Sequence, residues 1–381
     1  MRLIHTSDWH FGKRFLDYDM LPLQAIFCDW FVDLVRQESI DCVLVSGDVF
    51  DRANPKEDAI RLLDDFLFRI RDAGASIVLI SGNHDSAERL NFGAGFMAGS
   101  GLHIRTERLE IADIGKPAIV TGKDGDEVEI LPLPYLDPER VSHKVGTIRT
   151  HESVLRAVIA QKIGQLRNPA RAIAMSHSWV TGGTTSDSER NLTVGGAGSV
   201  PMDLFDGFGY VALGHLHRPQ ELSNGRIVYS GTPMPYSFSE DHEKSVRIVS
   251  TDGLGITSKT VASTVGRPVA TIEETLENIL SSSQFRGHEK GFVRVRITDP
   301  DFQVGVMERV RARFPFALEL VQTSLTVQGQ LNVERLQRLS KRSEEEVVHE
   351  YTRETWPDGF DTFEQAFVDG AIASTVTKDR S

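Results

Sequence analysis

The sequence predicts an α/β protein built on parallel sheets, with metal-type ligands gathered along one sheet edge. Three observations lead there. The first half alternates short apolar runs with helical patterns. Five apolar runs pass straight into Asp, Asn or His: Ile4-His5-Thr6-Ser7-Asp8-Trp9-His10, Val43-Leu44-Val45-Ser46-Gly47-Asp48, Val78-Leu79-Ile80-Ser81-Gly82-Asn83-His84, Ile173-Ala174-Met175-Ser176-His177 and Val211-Ala212-Leu213-Gly214-His215-Leu216-His217. Glycine immediately precedes Asp48, Asn83 and His215, which lets backbone crowd around a small cluster. Buried parallel strands deliver whatever follows them to one edge, so these ligands are expected to converge.

Residues 2–80 read as strand–helix–strand units with right-handed crossovers. Leu23 to Gln37 is helical through Ile26, Phe27, Trp30, Phe31 and Leu34. Asn54-Pro55 is read as the start of a second helix, proline taking its first position, with Glu57 and Asp58 at the positive end of the dipole. Ala59, Leu62, Leu63, Phe66, Leu67 and Ile70 form its buried stripe and Gly74 ends it. Thr181 to Pro201 is polar and glycine-rich but lacks the lysine and spacing of a nucleotide loop, so it is read as a surface loop flanking the site. Arg226 to Ser230 reads as a strand continued by Ser245 to Ser250.

The pattern changes at Gly266-Arg267-Pro268. A helix (Ile272 to Leu280), a strand (Phe292 to Ile297), a helix (Phe302 to Phe314) and a strand (Ala317 to Val321) suggest a compact α/β module. The expected organisation is a main domain over 1–265, a smaller one over 266–340 and an acidic tail over 341–381.

At 381 residues, with 40% hydrophobic and 25% charged content, the chain suits one large domain with smaller ones attached. Cys28 and Cys42 have no Cys-x-x-Cys spacing, which argues against a disulfide framework or cysteine zinc site and fits a reducing cytoplasm. No signal pattern opens the chain, and no apolar run is long enough to span a bilayer. The net charge of −12 argues at first against nucleic acid. Much of it lies between Ser343 and Asp369, where nine acidic residues face Arg353 alone. Lys13, Arg14, Arg52, Lys56, Arg89 and Arg218 follow closely behind the ligand segments, where basic loops can hold phosphates.

In extended backbone, residues i and i+2 point the same way, so Asp8 with His10, and His215 with His217, are expected to face one cluster. Asp48 is the natural carboxylate to bridge two ions, Asn83 offers an amide oxygen, and His177 another imidazole. Two divalent ions beside only two carboxylates and a bridging hydroxide leave net positive charge, which favours an anionic substrate such as a phosphodiester. His84 is assigned to stabilise charge and protonate the leaving oxygen, and Asp51 to orient and charge His84. His5, His103, His143, His151, His242, His288 and His349 receive no role, and Asp41 and Asp85 read as turn residues.

The order Asp-x-His, Gly-Asp-x-x-Asp-Arg, Gly-Asn-His-Asp, His, Gly-His-x-His resembles the calcineurin-like metallophosphoesterase superfamily. The opening Met1-Arg2-Leu3-Ile4-His5-Thr6-Ser7-Asp8-Trp9-His10-Phe11-Gly12, the Ser186-Asp187-Ser188-Glu189-Arg190 loop, Ala212-Leu213-Gly214-His215-Leu216-His217-Arg218 and Tyr229-Ser230-Gly231-Thr232-Pro233 are similar to the SbcD nuclease family within it. The likeness covers roughly residues 1 to 250. It implies a four-layer α/β/β/α sandwich, a small α/β capping domain and a C-terminal partner-binding segment. It implies one manganese on Asp8, His10, Asp48 and His217, another on Asp48, Asn83, His177 and His215, and a catalytic His84. It further implies 3′→5′ exonuclease action on double-stranded DNA ends and ATP-dependent endonuclease action that opens hairpins, in DNA recombination, repair and replication. The expected assembly is a homodimer joined to an SbcC-type coiled-coil ATPase as a heterotetramer.

Phe360, Phe363 and Phe367 are spaced to form an apolar face that either grips that ATPase or packs on its own domain. Two other readings stay open: a general or small-molecule phosphodiesterase, suggested by the acidic balance, and a docking protein with a structural metal site, suggested by the aromatic tail. Zinc or iron would suit the ligand set as manganese does.

Overall fold

The computed structural model describes residues 1–107, 114–189, 198–252, 255–301 and 303–322. The acidic tail with Phe360, Phe363 and Phe367, the end of the expected capping domain, and Arg190 lie outside them. The chain divides into two compact units. The first holds Met1–Thr271, Ser283–Arg294 and Val310–Glu319; the second holds Ile272–Ser282, Val295–Arg309 and the segment from Leu320.

In the first unit the chain runs β1 (Arg2–Thr6), α1 (Leu21–Gln37), β2 (Cys42–Ser46), α2 (Glu57–Asp72), β3 (Ser76–Ile80) and β4 (Leu102–Arg105). Then come β5 (Ala118–Thr121), β6 (Glu127–Leu133), α3 (Pro138–Val145), α4 (His151–Lys162), β7 (Ile173–His177), β8 (Tyr210–Gly214), β9 (Gln220–Leu222), β10 (Ile227–Tyr229), β11 (Ser245–Thr251) and β12 (Ile256–Ala262). Two six-stranded sheets result, ordered β12-β11-β1-β2-β3-β4 and β9-β10-β8-β7-β6-β5. The ligand-bearing strands β1, β2 and β3 are mutually parallel in one, and β7 and β8 in the other.

Both faces of these strands are buried, which is why their sequences read as unbroken apolar runs. Alternate residues serve different layers. Ile4, Val43, Val45, Ile77 and Leu79 pack with Phe27 and Phe31 of α1 and Phe66 of α2. Leu3, Cys42, Leu44, Val78 and Ile80 instead meet Ile130, Ile173, Met175, Tyr210 and Ala212 of the other sheet. On the far side, Leu131, Ala174, Val211 and Leu213 pack against Val154, Leu155 and Val158 of α4. The layering is the expected α/β/β/α sandwich.

Several boundaries differ from expectation. Helix α2 starts at Glu57 with Lys56 as its N-cap, so Asn54-Pro55 lies before the helix; Glu57 and Asp58 do occupy the first turn, and Gly74 follows the C-cap with φ +88°. β10 is not continued by the next strand: β10 belongs to the second sheet, whereas β11 crosses to the first and pairs antiparallel with β1, Ile4 opposite Ile248. Residues 269–274 form a strand where a helix from Ile272 was expected; the helix is Leu276–Ser281, opened by the Thr275 side chain accepting from the Asn278 N–H. β-branched Val269, Thr271 and Ile272 favour the extended state there. The later helix is shorter than expected, Val306–Arg313, and the last described strand is Ala317–Gln322.

Candidate metal centre

The two sheets bring their ligand-bearing ends together. His177 Nδ1 lies 2.9 Å from the Ser46 carbonyl oxygen, and Ser46 Oγ donates to the Ala212 carbonyl at 2.9 Å, so β2, β7 and β8 end at one place. The segments after β1 and β2 run side by side: Asp8 N–H donates to Gly47 O at 3.0 Å, His10 N–H to Asp48 O at 2.9 Å and Phe11 N–H to Val49 O at 2.9 Å.

The expectation that extended backbone would aim Asp8 and His10 together is corrected. Asp8, His10, Asp48 and His215 have φ of 54°, 47°, 49° and 98°, so the chain leaves each strand through left-handed turns. Non-glycine residues pay strain in that region, and its concentration here marks a site over-determined by its surroundings. The glycine expectation holds. A Cβ on Gly82 would lie 2.1 Å from Asp48 Oδ1, one on Gly47 2.4 Å from His177 Nδ1, and one on Gly214 1.9 Å from Ser46 O.

All seven predicted ligands converge. His10 Nε2 stands 3.2 Å from His217 Nε2 and 3.6 Å from Asp48 Oδ2. His177 Nε2 lies 2.8 Å and His215 Nδ1 3.1 Å from Asn83 Oδ1, and His177 Nε2 is 3.5 Å from Asp48 Oδ2. Ligand atoms of Asp8, His10 and His217 fall within 4.8 Å of one another, as do those of Asp8, Asp48 and His177, and those of His10, Asp48 and His84.

These residues fit a divalent cation. Burial and the neighbouring Asp48 push the Asp8 carboxyl well above its ordinary pKa. Burial and adjacent imidazoles depress His10 and His215. Asp48 is held below its usual range despite burial, by the imidazoles of His177 and His84 and by the His84 N–H at 2.8 Å. Buried carboxylates in mutual repulsion, beside His10 and His215 whose charged form burial disfavours, form a set of lone pairs that a cation satisfies. His10 Nδ1 is buried without a hydrogen-bond partner.

His84 is buried beside His10, ring centroids 4.6 Å apart, with Nε2 3.9 Å from Asp48 Oδ2. Its expected partner is corrected: His84 Nδ1 meets the backbone carbonyl of Asp51 at 2.8 Å. The Asp51 carboxylate instead receives Lys13 Nζ at 2.7 Å and lies 3.8 Å from His10 Nδ1. Of the basic residues behind the ligand segments, Lys13 is thus paired and Arg89 is tied to the Ala53 carbonyl, while Arg52 is largely exposed.

Several supporting residues were not singled out from the sequence. The Asp85 carboxylate accepts from Gly82 N at 2.9 Å, Phe50 N at 2.9 Å and Val49 N at 3.1 Å, pinning the Asn83 turn to the Asp48 turn, and burial with Asp48 nearby pushes its pKa up to about 7. Gln24 on α1 donates to His10 O at 2.8 Å and accepts from Gly12 N at 3.0 Å. Ser7 Oγ joins Asp8 to Ser230, 2.8 Å away in the Tyr-Ser-Gly-Thr-Pro stretch. The glycine-rich loop does more than flank: Ser188 Oγ is 2.6 Å from His217 Nδ1 and Glu189 accepts the His217 N–H. Buried Glu240 also reaches His217. The opening, Gly-Asn-His-Asp, Ser186–Arg190 and Tyr229–Pro233 motifs held a signal for Ser7, Asp85, Ser188, Glu189 and Ser230; Gln24 and Glu240 had none until the fold brought them inward.

Fold and cluster together define a metal-dependent phosphoesterase. A family model described as calcineurin-like phosphoesterase matches residues 1–219, and the chain belongs to that family. A second model, SbcD_C, described as type 5 capsule protein repressor C-terminal domain, matches residues 265–355, so the likeness to the SbcD family extends beyond the ligand-bearing segment. Among solved structures, the chain is similar to a dimetal phosphatase from Danio rerio (14% identity over 69% of this chain and 99% of that one, TM-score 0.39). It is also similar to an archaeal phosphodiesterase (12%, 68% and 100%, TM-score 0.32) and to the protein TT1561 of Thermus thermophilus (12%, 68% and 98%, TM-score 0.39). Among the described residues, no helix is long and apolar enough to cross a membrane.

Proposed function

We propose that the chain is a manganese-dependent DNA nuclease subunit. It acts as a 3′→5′ exonuclease on double-stranded ends and, with an SbcC-type coiled-coil ATPase, as an ATP-dependent endonuclease that opens hairpins. The observation that carries this reading is that one chain joins the converging Asp, His and Asn side chains of its two sheets to a segment, residues 265–355, matching the SbcD C-terminal domain. On this reading it works in the cytoplasm in DNA recombination, repair and replication, as a homodimer within a heterotetramer. Residues 266–340 act as the capping domain and 341–381 meet the ATPase.

Asp8, His10, Asp48 and His217 would hold one ion, and Asp48, Asn83, His177 and His215 the other. Such ions polarise a phosphoryl oxygen and lower the pKa of bound water. The chain's own groups do the rest. Asp48 and Asp8, held by the His84 and His215 N–H groups, fix the negative face of the site. His84 Nδ1–H donates to the Asp51 carbonyl, which turns Nε2 toward the cluster; in its imidazolium form the ring carries a second proton on Nε2, which it can give to the leaving oxygen.

The test is cleavage of end-labelled duplex DNA with manganese by the purified chain, alone and with the ATPase, against Asp48→Ala and His84→Ala. Loss in both variants is expected. Equal degradation by the variants would assign the activity to a contaminant, and no degradation even with the ATPase would overturn the reading. The net charge of −12 favours a second reading, a general phosphodiesterase, which rapid turnover of small phosphodiesters with indifference to DNA would establish.

A further inference from the structure

The imidazoles of the cluster are not held alike. His177 Nδ1 meets a neutral backbone carbonyl, Ser46 O at 2.9 Å, and His10 Nδ1 has no hydrogen-bond partner. Behind His217 stands a charged pair. Glu240 is fully buried, its Oε1 3.2 Å from His217 Nδ1, while its Oε2 accepts from Thr232 Oγ1 at 2.9 Å and from Lys244 Nζ. Lys244, itself buried, also donates to Thr232 Oγ1 at 2.7 Å and to the His217 carbonyl at 3.1 Å.

A buried carboxylate stays ionised only with compensating charge and donors, and Lys244, Thr232 and Ser237 supply them. An ionised carboxylate accepts and cannot donate. The proton of neutral His217 therefore sits on Nδ1, and Nε2 presents its lone pair to the cluster, 3.2 Å from His10 Nε2. Ser188, bonded to both His217 and Glu240, narrows the ring's freedom further. A carboxylate behind an imidazole also raises its basicity toward a metal.

We propose that Glu240, neutralised by Lys244, is a positioning residue that fixes the tautomer and orientation of His217 and thereby tightens binding of the ion held by Asp8, His10 and His217, leaving the ion on the Asn83, His177 and His215 side largely unaffected. This rests on the two-ion reading of the cluster. It accounts for a buried ion pair where an apolar pair would serve packing as well.

The experiment is calorimetric titration of manganese into the full chain, wild type against Glu240→Gln and the charge-neutral double variant Glu240→Leu/Lys244→Met, with melting of the metal-free proteins and DNA cleavage followed in parallel. Two binding events are expected in the wild type. In the double variant one event should weaken by about 10–100-fold while the other is kept, with melting close to wild type; Glu240→Gln should fall between. Two unchanged events in the double variant would overturn the proposal. So would loss of both events together with a collapsed melting temperature, which would make the pair a packing element. A wild type that takes up fewer than two ions would overturn the two-ion reading instead, a different failure visible before any variant is compared.

Discussion

The ring of His84 is fastened by the backbone of Asp51, Nδ1 to carbonyl oxygen at 2.8 Å, while the carboxylate of the same residue turns away to Lys13 at 2.7 Å. The bond to His84 Nδ1 therefore comes from the backbone at position 51 and not from its side chain. Asp51→Asn should lower turnover less than about 10-fold, whereas His84→Ala should cost about 10²–10⁴-fold, the usual worth of a general acid. Steady-state cleavage rates with saturating manganese decide it. A larger loss from Asp51→Asn than from His84→Ala would return the orienting role to the carboxylate.

Close backbone approach predicts which glycines are irreplaceable. Gly82→Ala places a methyl 2.1 Å from Asp48 Oδ1 and Gly214→Ala places one 1.9 Å from Ser46 O. Each should displace a ligand segment, destabilise the protein by about 1–3 kcal/mol and abolish tight metal binding. Gly164→Ala, where nothing lies within 4 Å, should stay within about 0.5 kcal/mol of wild type. Denaturant melts and metal titrations of the three variants test this; tolerance of Gly82→Ala would mean the Asp48 turn is looser than its contacts imply.

His5 sits between the sheets, Nδ1 3.1 Å from Tyr210 Oη and Nε2 3.1 Å from Leu213 O. Burial lowers its pKa from 6.5 to about 3. As the pH falls below about 6.5 the unfolded chain takes up a proton at this residue, and the folded chain does not until about 3. Its stabilising contribution is therefore complete above pH 6.5 and lost as the pH falls toward 3, at up to about 1.4 kcal/mol per pH unit. Between pH 7 and 5 the melting temperature of metal-free His5→Gln should fall less steeply than that of wild type. Parallel slopes would show that His5 is not held neutral by the fold.

Metal should act as a folding ligand, because the cluster's lone pairs and carboxylates repel one another without it. Manganese at about one hundred times its dissociation constant should add about 2.7 kcal/mol of stability, reversed by a chelator. Asp48→Ala, which removes the carboxylate shared between the ligand groups, should erase the increment. Thermal melts with and without manganese measure it, and an equal increment in Asp48→Ala would place the ion elsewhere.

Local pattern was enough for parallel strands and for a set of candidate ligands at their ends; the four layers were what the family resemblance implied. Strands such as Cys42–Ser46 and Tyr210–Gly214 are buried on both faces, so their apolar runs announce parallel strands, and parallel strands converge at their carboxyl ends. The convergence of all seven candidate residues and the crowding role of Gly47, Gly82 and Gly214 were legible from that pattern. Helix and strand boundaries near Pro55 and Ile272 did not, because several residues there suit more than one state and packing chooses between them.

What only the tertiary structure decided is how the ligands are aimed and what stands behind them. The left-handed turns at Asp8, His10, Asp48 and His215 depend on hydrogen bonds from other segments, such as His215 N–H to Asp8 Oδ1 at 3.0 Å. Asp85, Glu189, Glu240 and Lys244 acquire their roles only when distant segments bury them beside the cluster. A carboxylate in a sequence carries no mark of its future partner: burial makes its charge costly, and the fold alone determines which group answers it.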